Sequence, residues 1–407
     1  MYIFFYIKLK YNLIVLLNML NKKKVFYWSP FTSKVATVFS VMNSAQIINK
    51  YSNKSGIEAT IIDAVNEWEV FDDEIIKKKI NKISLNQKTF FNSFEKNGFL
   101  RSRFAYWYIF IKCFFSLDQL LKKQKPEYLI IHLITSLPLV LFSFKNYKTK
   151  LILRISGLPK MTFLRKLIWK IASKKIHKIT CPTKATFENL SRYDFLEKKL
   201  FLLRDPVLNI DEINKKLKDK SDLPEEIKKF IDGGNFFLLI GRFTKQKNFI
   251  FFLESVIDTI KESKDLKFLI IGDGEDKKKF LKIVKEHNLR KNVFVHSYTK
   301  NVHYLMRICR AFILTSLWED PGFVIIESAY NNCTIISSNC PNGPEEILSN
   351  DGGYLFESNS KKSFKEVFNL FVNDTPLNRL NKKIKVKKRI REFSCFNHYL
   401  KLKEILK

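Results

Sequence analysis

The sequence predicts an α/β protein of two doubly wound domains. Three observations carry this. Its 407 residues exceed what a single hydrophobic core ordinarily supports. Short apolar runs alternate with helical segments along most of the chain, the pattern of parallel strands joined by crossover helices. The run Phe-Phe-Leu-Leu-Ile at 236–240 is apolar at every position, as befits a strand covered on both faces.

In the first half, strands are expected at 24–28, 57–64, 128–134, 151–155, 176–181 and 200–203. The first leads through Ser29-Pro30-Phe31-Thr32-Ser33-Lys34 into a helix over 35–50. Asn66-Glu67-Trp68-Glu69 joins an aromatic face to carboxylates, as sugar sites often do. The helix over 99–121 is apolar nearly all round, which normally means core. His132 stands near the end of the 128–134 strand. Residues 161–178 form a basic amphipathic segment, with Leu164, Leu167, Ile168 and Ile171 on one face and Arg165, Lys166, Lys170, Lys174 and Lys175 around it. Such a helix suits an anionic lipid surface.

A linker is expected at 209–223, dividing a domain at 19–208 from one at 224–392. In the second domain, strand 236–240 runs into Gly241-Arg242, and Lys247 precedes a helix over 249–261. Strand 267–271 turns through Gly272-Asp273-Gly274-Glu275; without a third glycine this is no dinucleotide fingerprint. Strand 311–315 leads through a polar turn to a helix over 322–330, so Glu319 lies beyond the strand's carboxyl end and Glu327 more than a turn into the helix. Residues 382–391 are a basic run, and a last helix over 393–407 is expected to cross back to the first domain.

The net charge of +32 has three readings: nucleic acid, an anionic membrane surface, or a lysine-favouring codon bias. Only 13 of the 72 basic residues are Arg, and the lysines are spread through the chain rather than clustered with stacking aromatics, which disfavours nucleic acid. Cys113, Cys181, Cys309, Cys333, Cys340 and Cys395 form no C-x-x-C pair, which suits a reducing, cytoplasmic setting. Residues 1–18 are apolar but interrupted by Lys8 and Lys10, too short on either side to span a bilayer. Translation from Met19, or a loose membrane-surface appendage, is expected there.

The pattern Glu319-Asp-Pro-Gly-Phe-Val-Ile-Ile-Glu327, with Gly241-Arg242 and Lys247 upstream, resembles the retaining glycosyltransferases of family 4, which have the GT-B fold. The resemblance is clearest over 236–356. It implies a nucleotide-sugar donor, with Glu327 on the ribose hydroxyls, Glu319 at the donor sugar and Arg242 and Lys247 on the diphosphate. Gly274, Gly322 and Phe323 would complete the donor site, and His132 would lie near donor sugar and acceptor. One departure is Asp320, where many members have Gly. The implied activity is metal-independent and cofactor-free transfer to a glycan or lipid-linked acceptor in surface polysaccharide synthesis, in the cytoplasm or on the inner membrane face, from a cleft between domains. Rival readings are an epimerase or phosphorylase on the same fold, a non-catalytic scaffold, and a nucleic-acid binder.

Overall fold

A computed structural model describes residues 22–32, 36–52, 56–86, 99–157, 159, 161–218, 223–232 and 234–407; the expectation for 1–18 lies outside them. The described strands are β1 (Lys23–Trp28), β2 (Ile57–Asp63), β3 (Asn81–Ser84), β4 (Tyr128–Ile131), β5 (Lys150–Arg154), β6 (Ile176–Cys181), β7 (Leu200–Leu202), β8 (Phe236–Ile240), β9 (Lys267–Ile271), β10 (Val293–His296), β11 (Ala311–Leu314), β12 (Ile335–Ser338) and β13 (Tyr354–Phe356). They form two sheets, ordered β3-β2-β1-β4-β5-β6-β7 and β10-β9-β8-β11-β12-β13, with every pair parallel.

The helices of eight residues or more are α1 (Ala36–Ser52), α2 (Phe99–Gln124), α3 (Ser136–Phe144), α4 (Phe163–Ser173), α5 (Lys184–Ser191), α6 (Ile210–Lys218), α7 (Phe249–Glu262), α8 (Lys277–Glu286), α9 (Phe323–Tyr330), α10 (Lys361–Asn373), α11 (Pro376–Arg389) and α12 (Cys395–Ile405). Because parallel crossovers are right-handed, the face a helix covers follows from the direction in which strand order runs. In each sheet that direction reverses once, between β1 and β4 and between β8 and β11. Ligands of such sheets bind beyond the strand ends at the reversal.

The chain divides into two compact units. One holds the described residues up to Pro182, then Phe187–Pro206 and His398–Lys407; the other holds Thr183–Thr186 and Val207–Asn397. In the second unit a phenylalanine-rich core lies between the sheet and α7, α8 and α10, with Phe237, Phe252, Phe268 and Phe371 all buried. A second core on the opposite face takes Ile325 and Ile326 of α9 with Val386 of α11. In the first unit α12 is held by a buried chain of polar contacts. The Ser44 hydroxyl lies 2.7 Å from the Tyr27 hydroxyl and 2.8 Å from His398 Nε2, and His398 Nδ1 lies 2.7 Å from the Arg204 carbonyl.

Several elements differ from the sequence reading. The stretch expected as a linker contains α6, and Ile213 and Leu223 are buried in the second unit's core, because its apolar residues find a face to cover. The basic run at 382–391 is largely the end of α11, whose Val386 and Lys382 are buried, Lys382 paired with Asp351, while Lys385 and Lys388 are exposed. Strand β4 stops at Ile131, and Ile134 adopts a left-handed φ of 50°. The tetrad 66–69 is a packed turn: the Glu67 carboxylate accepts the N–H groups of Ala64 (3.2 Å) and Val65 (2.7 Å), while Trp68 is buried edge-on to Phe31. Burial and the adjacent Asp63 push the Glu67 carboxyl well above the ordinary range. Finally, α2 is not core all round, since only one of its faces is buried.

Candidate active site

The reversal in the second sheet brings two loops together, one after β8 and one after β11. They are zipped by backbone and side-chain bonds. The Leu317 N–H donates to the Gln246 carbonyl (2.8 Å), Gln246 Nε2 to the Trp318 carbonyl (2.9 Å), and the Thr315 hydroxyl to the Lys247 carbonyl (2.9 Å). Glu319 is thereby set beside Lys247, whose Nζ lies 2.5 Å from Glu319 Oε1; the Ser316 hydroxyl donates to the same oxygen at 2.5 Å. Both ion-pair partners are largely withdrawn from solvent. The pair is therefore a fixed feature of the site rather than a passing surface contact.

A third loop, after β12, buttresses the second. The Glu319 N–H donates to the Pro341 carbonyl (3.1 Å) and the Ser338 hydroxyl to the Ser316 carbonyl (2.7 Å). At Gly343 (φ 151°) a Cβ would sit 1.8 Å from the Pro321 carbonyl oxygen, so only glycine allows this approach. Immediately beyond, Gly322 opens α9, and no side chain caps that end of the helix. Its first N–H groups and the positive end of its dipole are thus directed out of the helix, a setting favourable to an anion.

Glu327 lies one turn further along α9. Its carboxylate is part-buried and accepts no hydrogen bond among the described residues, and burial pushes its pKa up to about 7 while the positive charge of Lys216 opposes the rise. His303, in the helix Val302–Ile308, is lowered to about 4 by burial and by the same lysine. Lys216 belongs to α6, so the segment read as a linker contributes charge to this site.

Of the other residues named from sequence, Arg242 follows β8 and is exposed, and its guanidinium makes no ion pair among the described residues. Gly274 is held against the preceding loop: a Cβ there would meet the Phe243 carbonyl oxygen at 2.4 Å. Its glycine thus has a sufficient reason in backbone packing, which fixes the loop that carries Arg242. Phe323 is the first residue of α9 and half-buried. Sequence reasoning missed Ser316, Gly343 and Lys216. No local signal marks Ser316 or Lys216, and the Asn342-Gly343 pair signals only a turn.

His132 belongs to the first unit and follows β4 at that sheet's own reversal. It is buried, its Nδ1 has no hydrogen-bond partner among the described residues, and burial together with Arg154 and His398 lowers its pKa well below the ordinary value. It is therefore a neutral imidazole. The Ser29 hydroxyl, at the end of neighbouring β1, is likewise buried with no hydrogen-bond partner among the described residues. Ser33 and Lys34 of the turn after β1 lie outside the described residues.

Comparisons with known proteins identify the fold and relatives of the chain. Residues 222–391 match the family described as Glycosyl transferases group 1. An uncharacterized glycosyltransferase of Methanocaldococcus jannaschii is 28% identical over 305 residues, covering 72% of this chain and 71% of its own. A Campylobacter jejuni α-1,4-N-acetyl-D-galactosaminyltransferase named for a diNAcBac-PP-undecaprenol glycan is 26% identical over 303 residues, 74% of this chain and 77% of its own. The crystal structure of Anabaena HepE in complex with UDP superposes with a TM-score of 0.70 at 12% identity, covering 94% of this chain and 99% of that one. The two parallel sheets and these likenesses show an enzyme with the GT-B fold, a glycosyltransferase whose residues 222–391 match the glycosyl transferases group 1 family.

Proposed function

We propose that the chain transfers a hexosyl group from a nucleoside-diphosphate sugar to a lipid-linked glycan, with retention at the anomeric carbon and without a metal ion. The observation that carries this reading is the Lys247–Glu319 pair, fixed at the sheet's reversal beside the open N-terminus of α9. In the reaction the bond from sugar C1 to the diphosphate oxygen breaks, the acceptor oxygen bonds to C1, and the acceptor proton passes to the departing phosphate. Negative charge grows on the leaving group, so preorganised donors there are the strongest means of lowering the barrier. Lys247, Arg242 and the α9 N–H groups supply them. Glu319, held by Ser316, faces the donor sugar, and Glu327 accepts from the ribose hydroxyls. His132 acts on the acceptor side. The lipid-linked acceptor is supported by the undecaprenol diphosphate named for the Campylobacter relative, and the uridine donor by the UDP bound to HepE.

Thermal shifts with UDP, GDP, CDP and dTDP, each with magnesium and with EDTA, test this reading. A ligand at one hundred times its Kd stabilises by about 2.7 kcal/mol. One diphosphate is expected to raise Tm equally in both buffers, and the shift should vanish in Glu327→Ala. A shift that needs magnesium refutes the metal-free reading; no shift from any of the four refutes the donor site. Sugar turnover without an acceptor would instead mark an epimerase.

Glu327 also sets a pH dependence. The charged carboxylate is the better acceptor for ribose hydroxyls, and its free pKa of about 7 leaves it half protonated at neutrality. Binding therefore releases a proton, and diphosphate affinity should rise as pH climbs through 7, by roughly tenfold between pH 6 and 8. Calorimetry should find Glu327→Gln weaker and flat with pH; a wild-type profile equally flat would remove the assignment.

A further inference from the structure

The helices α2, α3 and α4 link β3 to β4, β4 to β5 and β5 to β6, three crossovers that run in the same direction across the first sheet. Right-handedness puts all three on one face of that sheet, and α3 packs against both its neighbours. Ile109, Cys113, Leu117 and Leu121 of α2 point into the core. Ordinarily the opposite stripe would be polar. Here it is Phe104, Trp107, Ile111 and Phe115, spaced by three and four residues and all exposed, with Trp107 67% and Phe115 72% accessible.

The apolar surface continues onto the other two helices. Phe144 ends α3 and is 85% accessible, and Phe163, Leu167, Ile168 and Ile171 are exposed on α4. Exposed apolar surface of this extent on a folded protein marks an interaction site. Its surroundings are strongly basic: residues 99–178 carry seventeen Lys and Arg against two carboxylates. Both carboxylates are already engaged. Asp118 accepts from Lys122 (3.0 Å), Lys145 (2.7 Å) and Tyr147 (2.5 Å), which lower its pKa to about 2, and Glu127 pairs with Lys23 and Lys150. On α4, Arg165, Lys166, Lys170 and, just past its end, Lys174 stand exposed around the apolar residues.

We propose that this outer surface of α2, α3 and α4 seats the enzyme on an anionic lipid bilayer. Aromatic and aliphatic side chains enter the boundary between headgroups and acyl chains while the lysines meet lipid phosphates. Charge selects this occupant over a second copy of the chain, which would oppose a basic rim with another. The aliphatic half of the surface selects it over nucleic acid, because Ile111, Leu167, Ile168 and Ile171 offer no ring on which a base can stack. Among the described residues no helix is long and apolar enough to cross a membrane, so the attachment lies in the plane of the interface. The inference deepens the lipid-linked acceptor proposed above, since it brings the enzyme to the phase in which such an acceptor resides.

The test is co-sedimentation of the full chain with phosphatidylcholine vesicles, with and without phosphatidylglycerol. Two variants are compared: Trp107→Ser with Phe115→Ser, and Lys166→Gln with Lys170→Gln and Lys174→Gln. All five side chains are solvent-facing, and diphosphate-induced thermal shifts, scored separately, should match wild type in both variants. Binding is expected only to the anionic vesicles, to fall roughly 100-fold in the triple variant and on the order of tenfold in the double one. Variants that sediment as wild type would overturn the proposal, with residues 1–18 then the next candidate. Equal binding to uncharged vesicles, or a dimer that the same variants disperse, would overturn it too. A failed thermal shift with retained vesicle binding would count against the donor reading alone.

Discussion

Lys247→Ala is expected to lower kcat by two to three orders of magnitude, the scale for deleting one donor to a developing anion. It also leaves the Glu319 carboxylate withdrawn from water with Ser316 as its remaining partner, and breaking such a pair costs roughly 3–5 kcal/mol of stability. The two effects are separable. Glu319→Gln added to Lys247→Ala removes the stranded charge, so the double variant should recover most of the lost Tm and none of the lost kcat. Recovery of both would mean that Lys247 serves only to hold Glu319, and the diphosphate role would be withdrawn.

Gly343→Ala should be the most damaging single methyl group in the second unit. The added carbon would lie 1.8 Å from the Pro321 carbonyl at a φ of 151°, so steric overlap and backbone strain act together. Each is worth 1–3 kcal/mol, giving an expected loss on the order of 3–5 kcal/mol in chemical denaturation. The neighbouring loop must move to relieve it, and that loop carries Glu319; KM for the donor should therefore rise in whatever fraction remains folded. A denaturation midpoint within experimental scatter of wild type would show that the loop after β12 is not the buttress described.

The parts of this fold that were legible in sequence are those in which both faces of a strand are covered. Phe236–Ile240 and Ala311–Leu314 are apolar runs followed by turn residues, and they fall within a residue of where the pattern puts them. Strand β3 was invisible because Asn-Lys-Ile-Ser at a sheet edge needs no apolar pattern. Helix α3 was hidden by Pro138, which sits in its first turn where proline is tolerated. Helix α6 read as a linker because a charged sequence with few apolar residues shows its packing face only once a core is present to receive it. At the site, sequence order named Lys247 and Glu319 but not their contact, which depends on strand order reversing between β8 and β11. Ser316 and Gly343 were missed for the same reason, since their roles exist only between loops distant along the chain. The outward stripe of α2 was read as core because periodicity reports how apolar a face is, not which way it points.

The place of α12 bears on how this chain is made. The described residues up to Pro206 provide all of the first unit's strands, yet the imidazole that links Ser44 to the Arg204 carbonyl is contributed by His398. Domains ordinarily complete themselves in the order in which they leave the ribosome. Here the second unit can close while the first still lacks a helix. A nascent chain halted before His398 should therefore show a protease-sensitive first unit beside a protected second one. The earliest part of the molecule to be synthesised is the last to be sealed.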